Sequence, residues 1–347
     1  MKSAVAFCFV LGLLSQPSAA ADAIRSFAIP GAHGAPTRLA IDKAGTVWFI
    51  KSGTHKLGRF QPAGEVFAEY DIPTPGSMPT DLTIGDSGEV WLTESNANQL
   101  CVFDPVSRSF KEYDIPTLGS MPSRITTDAQ GNIWFTQFYG NKVGMFDRRR
   151  EVFREFPISA PASRPAGIVA GRKGMVWFLQ TQGNKLARLN PGDASMREFD
   201  LPRQFESPRD LAMDRSGVLW FGGHIGRNLM AFNPTTGKFA SFPIPGGGVI
   251  EGLAVARDGK IFFTLRTSSK IGVFNPAKAD FLEFEAGAGK SRPSGIGIDS
   301  KGNIWVADTE KNSLFRIDGA IVPELWLRSG VSGGLQAGNR VPGARGS

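Results

Sequence analysis

The run PSRITTDAQGNIWFT, from Pro122 to Thr136, decides the fold. A short stretch with apolar Ile125 leads into an Asp128-Ala129-Gln130-Gly131 turn. It is followed by Ile133-Trp134-Phe135-Thr136, the β-branched and aromatic composition that a pleated, half-buried surface prefers. The same hairpin recurs along the chain. Trp48, Trp91, Trp134, Trp177, Trp220, Phe262 and Trp305 stand 43, 43, 43, 43, 42 and 43 residues apart. Three residues before each aromatic is a glycine (Gly45, Gly88, Gly131, Gly174, Gly217, Gly259, Gly302). Twelve before it is a proline (Pro36, Pro79, Pro122, Pro165, Pro208, Pro293), with Ile250 the exception. Three landmarks that hold register through seven units define a structural repeat.

Each unit reads as four strands. In the first these are Leu39 to Ile41, Thr46 to Ile50, Leu57 to Phe60 and Val66 to Ile72. The fourth recurs as Tyr113-Asp114-Ile115-Pro116 and Phe242-Pro243-Ile244-Pro245, and its prolines suit an outer edge where an N–H is not missed. Four strands in about 43 residues make the blade of a β-propeller. The fourth-strand pattern also precedes the first unit, at Phe27-Ala28-Ile29-Pro30, whereas the last unit ends after Leu314 to Ile317. The expectation is an all-β fold: a seven-bladed β-propeller of four-stranded antiparallel blades, residues 22–318, with the N-terminal strand closing the last blade.

The flanks read differently. Lys2, the apolar stretch Ala4 to Leu14 and the small residues Ser18 to Ala21 have the anatomy of a secretory signal peptide over 1–21, which points to a periplasmic or secreted protein. Cys8 falls inside that segment, so the mature chain keeps one thiol, Cys101, and neither an internal disulfide nor a Cys-rich zinc site is expected. No later stretch is long and apolar enough for a membrane helix. Residues 319–347 are Gly-rich with Arg328, Arg340 and Arg345, and read as a largely disordered tail whose apolar start, Ala320 to Leu327, packs on the propeller. With 39 Lys and Arg against 32 Asp and Glu, the net charge of +7 is too modest, without a recognition motif, to imply nucleic acid. A monomer with a small-molecule or peptide ligand is the expected state.

Chemistry is expected at one rim. The first strand starts, and the second ends, at the same end of each blade, around the channel mouth. The strand-two exits are Lys51, Glu94, Gln137, Gln180, Gly223, Leu265 and Asp308, and two residues after the proline landmark stand Arg38, Asp81, Arg124 and Asp210. Arg38, Arg124, Arg164, Arg209 and Arg292, with Gln137 and Gln180, are the candidate ligand-binding side chains; guanidinium forks suit carboxylates and phosphates. The alternative is structural: Arg38, Asp81, Arg124 and Asp210 pair across neighbouring blades and tie the ring. Of the histidines, His55 occupies the hairpin slot of Asn98, Asn141, Asn184 and Asn312, and His33 lies in a loop on the rim. His224, at the strand-two exit, is the best placed general base. No nucleophile elbow, phosphate loop or HExxH motif is present.

The blade signature from Pro122 to Thr136, followed by Gly140-Asn141-Lys142-Val143-Gly144, resembles the streptogramin B lyase (virginiamycin B lyase) family over all seven blades. That resemblance implies magnesium-assisted elimination: a base removes the proton α to a carbonyl, and the ester of a cyclic depsipeptide opens without addition of water. It also implies, in the last blade, a Glu just before the proline landmark, a His just after it and a second Glu fifteen beyond, with a further His from the preceding blade. Those places hold Arg292, Ser294, Asp308 and Glu251 here, so only the carboxylate of Asp308 is kept in kind. Three readings follow: a lyase-like propeller that binds an anionic small or peptidic ligand on the Arg-rich rim, with Mg as the one cofactor to consider; a lyase or lactone-opening enzyme with a relocated set, His224 as base and Glu94 and Asp308 as metal ligands; and an envelope scaffold.

Overall fold

Asp42 shows how one blade hairpin is made. Its carboxylate accepts from the Ala44 and Thr46 amides, both at 2.9 Å, and from the Trp48 indole N–H at 3.1 Å. Gly45 completes the turn at φ +84°, a backbone state that costs a residue with a Cβ. Asp128, Asp214 and Asp299 hold Trp134, Trp220 and Trp305 in the same way. In the second unit Gly85 takes the Asp position and Glu89 reaches the Trp91 indole instead. In these five blades the landmark glycine and tryptophan recur because one carboxylate reaches both the turn and a buried indole.

The computed structural model describes residues 24–202, 207–223, 227–286 and 289–322. The signal-like segment 1–21, His224 and all but the first residues of the tail lie outside the described residues. Seven four-stranded antiparallel sheets are present, as the repeat predicts. Six are consecutive, spanning 36–71, 79–114, 122–157, 165–200, 208–243 and 250–285. The seventh joins Pro293–Ile298, Ile304–Asp308 and Ser313–Ile317 to Ile24–Ala28, with Ile24 opposite Ile317 and Ala28 opposite Ser313. The first strands of successive blades lie side by side, and the last of them, Pro293–Ile298, lies against Pro36–Ile41, which closes the ring.

Apolar side chains fill the spaces between blades. Trp48, Ile50 and Leu57 of blade one pack on Leu82, Leu92 and Phe103 of blade two. At the closure, Phe27 and Ile29 pack with Trp305, Ala307 and Leu314 against Leu39, Phe49 and Phe60. Among the described residues the only helices are two short turns, Arg172–Gly174 and Gly319–Ile321, and none is long and apolar enough to cross a membrane.

Candidate ligand site at the channel mouth

A bulge at the start of every inner strand builds the site. Pro36 is opposite Lys51, but Leu39 is opposite Phe49, so one extra residue is inserted between them. The same shift occurs in the other six blades. A bulge re-aims side chains, and here two adjacent residues both reach the axis. Thr37 and Arg38, like Ser123 and Arg124, line one cavity of about 480 Å³ at the mouth. Arg209, Glu251 and Arg266 complete its charged wall. Beneath it a constriction of about 160 Å³ is lined by Arg38, Asp81, Arg124 and Asp210.

The channel charges are linked across the axis as well as around it. Arg38 Nη1 lies 3.2 Å from Asp210 Oδ2, which joins blade one to blade five; the expected pairing of neighbouring side chains is not what forms. Neighbouring blades are tied instead through the backbone: Asp81 accepts from the Ile125 amide at 3.2 Å and Asp210 from the Leu253 amide at 2.9 Å. The reason is reach, since a guanidinium spans the channel while a short carboxylate meets the next strand. Burial lowers the Arg38 pKa, but Asp210, Asp81 and Glu251 together outweigh it and raise the value. Burial, reinforced by Arg38, lowers that of Arg124. Burial raises that of Asp81 against the opposing pull of Arg38 and Arg124. Arg38 Nη2, Arg124 Nε and Glu251 Oε2 are buried without a hydrogen-bond partner, although Arg266 Nη1 stands 3.8 Å from that Glu251 oxygen.

Strand alternation separates the other candidates. Gln137 and Gln180 are fully buried and do not line the cavity; their amides donate to Glu155 at 2.8 Å and Glu198 at 2.6 Å on the outer strand of their own blades. Lys51 likewise pairs with Glu69. In six blades the residue one step beyond the exit faces the mouth instead, as Ser52, Ser95, Phe138, Thr181, Arg266 and Thr309 do. A shift of one residue along a strand changes the face. These hydroxyls also stitch blades: Thr181 donates to the Pro208 carbonyl at 2.9 Å and Thr309 to the Pro36 carbonyl at 2.8 Å. Arg164 is exposed, with its guanidinium 5.5 Å from the Phe138 ring centroid. Arg292 is exposed in a groove with Arg266 and Lys290. His55 accepts from the Met78 amide at 3.3 Å and has φ +54°, the turn state of Asn98 and Asn141.

The last blade does not suit a divalent ion. Asp308 accepts from Ser291 Oγ at 2.5 Å and from the Arg292, Glu310 and Lys311 amides at 3.1, 2.9 and 3.1 Å, so both oxygens are committed to the loop. Ser294 is buried, its hydroxyl 3.2 Å from the Pro36 carbonyl. Arg292 adds a cation at the same loop, where a magnesium ion needs unopposed hard oxygens. Glu94 is not brought to Asp308. It is fully buried in blade two beside Cys101 and Glu112, where burial, with Glu112 adding to it, raises its pKa to about 7 against a hydrogen bond from Cys101.

Comparison with known proteins agrees with the seven-bladed fold. The sequence profile of the virginiamycin B lyase family matches residues 16–248. The chain belongs to the virginiamycin B lyase family. A profile of the NHL repeat matches residues 291–317, in the last blade. Virginiamycin B lyase from Staphylococcus aureus superposes with a TM-score of 0.79 at 25% identity, covering 84% of this chain and 98% of that one. A catalytically inactive variant of the same enzyme, in a structure with quinupristin, gives the same values. The extracellular domain of a two-component system from B. thetaiotaomicron matches in fold, with a TM-score of 0.68 at 18% identity over 82% of this chain and 40% of that one. No curated protein matched.

Proposed function

We propose that this member of the virginiamycin B lyase family is an exported protein that binds a small or peptidic anion in the cavity at the channel mouth, without the family's metal-assisted elimination. The observation that carries the reading is the pair of buried guanidinium nitrogens, Arg38 Nη2 and Arg124 Nε, that have no acceptor beneath a cavity also lined by Arg209 and Arg266. An unmade hydrogen bond on a buried cation is costly, and a carboxylate or phosphate entering the mouth relieves it. The cavity, about 480 Å³, is in the range of small-molecule sites. Ser294 in place of a base and the committed oxygens of Asp308 argue against elimination. The signal-like segment supports export, and the joining of the N-terminal strand to the last blade within one chain supports a monomer.

Isothermal titration with citrate and with pyrophosphate tests the reading. Both anions bind the wild type, and the affinity falls as salt is raised. Arg209→Ala, an exposed change, and Arg124→Met each weaken binding by about ten- to a hundredfold, the worth of a hydrogen bond to a charged group. Quinupristin incubated with the protein and Mg²⁺ keeps its ring. Absence of anion binding, or ring opening lost in Asp308→Ala, sinks the proposal in favour of the lyase.

A further inference from the structure

Blade two departs from its sister blades at one buried spot. In blades one, three, four and six the outer strand carries Glu69, Glu155, Glu198 or Glu283, and a lysine at the start of the third strand neutralises it. Lys142, Lys185 and Lys270 reach their glutamates at 2.8, 2.7 and 3.2 Å, and Lys56 stands 3.9 Å from Glu69. Blade two keeps the outer glutamate, Glu112, but has Gln99 in the lysine position. At the strand-two exit, where blades one, three and four hold Lys51, Gln137 and Gln180, it has a second carboxylate, Glu94. Two carboxyl groups without a lysine thus replace a set that is neutral or positive elsewhere.

A thiol completes the spot. Cys101 lies opposite Leu92, whereas in blades one, three and six a glycine lies opposite a phenylalanine. A Cβ on Gly144 would come within 2.2 Å of the Phe135 ring, whereas blades four and five place Ala187 and Met230 opposite a phenylalanine and blade two places Cys101 opposite the smaller Leu92. Glu94 and Cys101 are both fully buried, and ligand atoms of Glu94, Cys101 and Glu112 lie within 4.8 Å of one another. Apart from the Cys101 thiol, both Glu94 oxygens are buried with no hydrogen-bond partner, as is Gln99 Oε1. Glu112 is oriented by the Thr74 amide at 3.1 Å and the Thr74 hydroxyl at 2.9 Å, which leaves further lone pairs on its oxygens.

We propose that Glu94, Cys101 and Glu112 form a binding site for one thiophilic divalent cation of the zinc class, buried between blades one and two. Two carboxylate oxygens and one thiolate are the mixed donors such a cation accepts, and Gln99, opposite Glu94 in the ladder, carries a further buried oxygen. On binding, Cys101 gives its proton to solvent, and the cation supplies the positive charge that lysine supplies in the sister blades. The site is separate from the mouth cavity, whose walls include none of these residues.

The test uses the full chain stripped with chelator and titrated with zinc(II), followed by thermal melting, and with cobalt(II), followed by absorption. The expected result is one metal per chain, a higher Tm with zinc, and a thiolate-to-cobalt charge-transfer band. Glu94→Gln and Cys101→Ser weaken zinc binding by at least about a hundredfold, beyond the loss typical of an outer-shell partner, and Cys101→Ser removes the band. Gln99→Lys restores the sister-blade lysine; it should raise the Tm of the metal-free chain and abolish zinc binding. A wild type whose Tm ignores zinc overturns the proposal, as does a zinc response that survives in Glu94→Gln or in Gln99→Lys.

Discussion

A single carboxylate shows how much one residue carries here. Asp128 accepts from the Gln130 and Asn132 amides at 2.9 Å each, from Asn132 Nδ2 at 2.9 Å and from Trp134 Nε1 at 2.7 Å. Trp134 is 1% exposed, so its indole N–H loses its acceptor when Asp128 is truncated. Asp128→Ala should therefore lower the unfolding free energy by about 1–3 kcal/mol, the cost of a buried donor left unpaired. Urea denaturation checks this, and a loss below about 0.5 kcal/mol would mean that the indole does not depend on the carboxylate. Landmarks of this kind are legible in a bare sequence because one geometry, repeated seven times, admits only Gly at positive φ and an aromatic over the turn. The mouth residues were harder to read. Counting from the proline landmark places Arg38 and Arg124 near the axis, which they line, but the same counting assigns Gln137 and Gln180 to a wall they do not form. An extra bulge residue has no compositional mark, and alternation then turns Thr181 and Arg266 to the cavity in place of the exits before them.

At the scale of the element, blades one, three, four and six carry a Lys–Glu ion pair on one sheet face, and blade three is the best tied. Glu155 accepts from Gln137, from Thr117 Oγ1 and from Lys142 Nζ, each at 2.8 Å. Burial alone would raise its pKa, but the bonds from Lys142, Gln137 and Thr117 prevail and hold it below the ordinary glutamate value. A depressed pKa contributes stability above the unfolded value, about 4.3, and loses that contribution as pH falls through the folded value. Glu155→Gln should thus melt below the wild type at pH 7, and the gap should shrink as the pH is taken from about 5 to about 3. Scanning calorimetry across that range decides it; a gap independent of pH would assign the loss to packing. The exception in blade two is legible only when seven units are laid over one another, because Glu94, Gln99, Cys101 and Glu112 are unremarkable singly and share a site through strand register alone.

The whole molecule depends on a closure between the two ends of the described chain. Ile24–Ala28 supplies the outer strand of the last blade, and the Thr309 hydroxyl reaches the Pro36 carbonyl at 2.8 Å. Phe27 is the apolar pin, 6% exposed, with its ring centroid 4.8 Å from that of Phe60 and 5.6 Å from that of Trp305. It therefore touches blade one and blade seven at once. Phe27→Ala removes a buried ring whose loss typically costs about 3–5 kcal/mol, and the cavity it leaves lies at the seam. In a ring, opening one seam exposes the edge of Ser313–Ile317 without first unfolding the blades opposite. Amide hydrogen exchange should thus rise by about a hundredfold or more in Ile24–Ala28 and Ser313–Ile317 together, while Pro165–Ala170 and Val176–Gln180, far around the ring, keep their protection. Equal acceleration in all seven blades would show that the propeller opens only as a unit. Acceleration confined to Ile24–Ala28 would show that the N-terminal strand frays alone and that other contacts hold the seam.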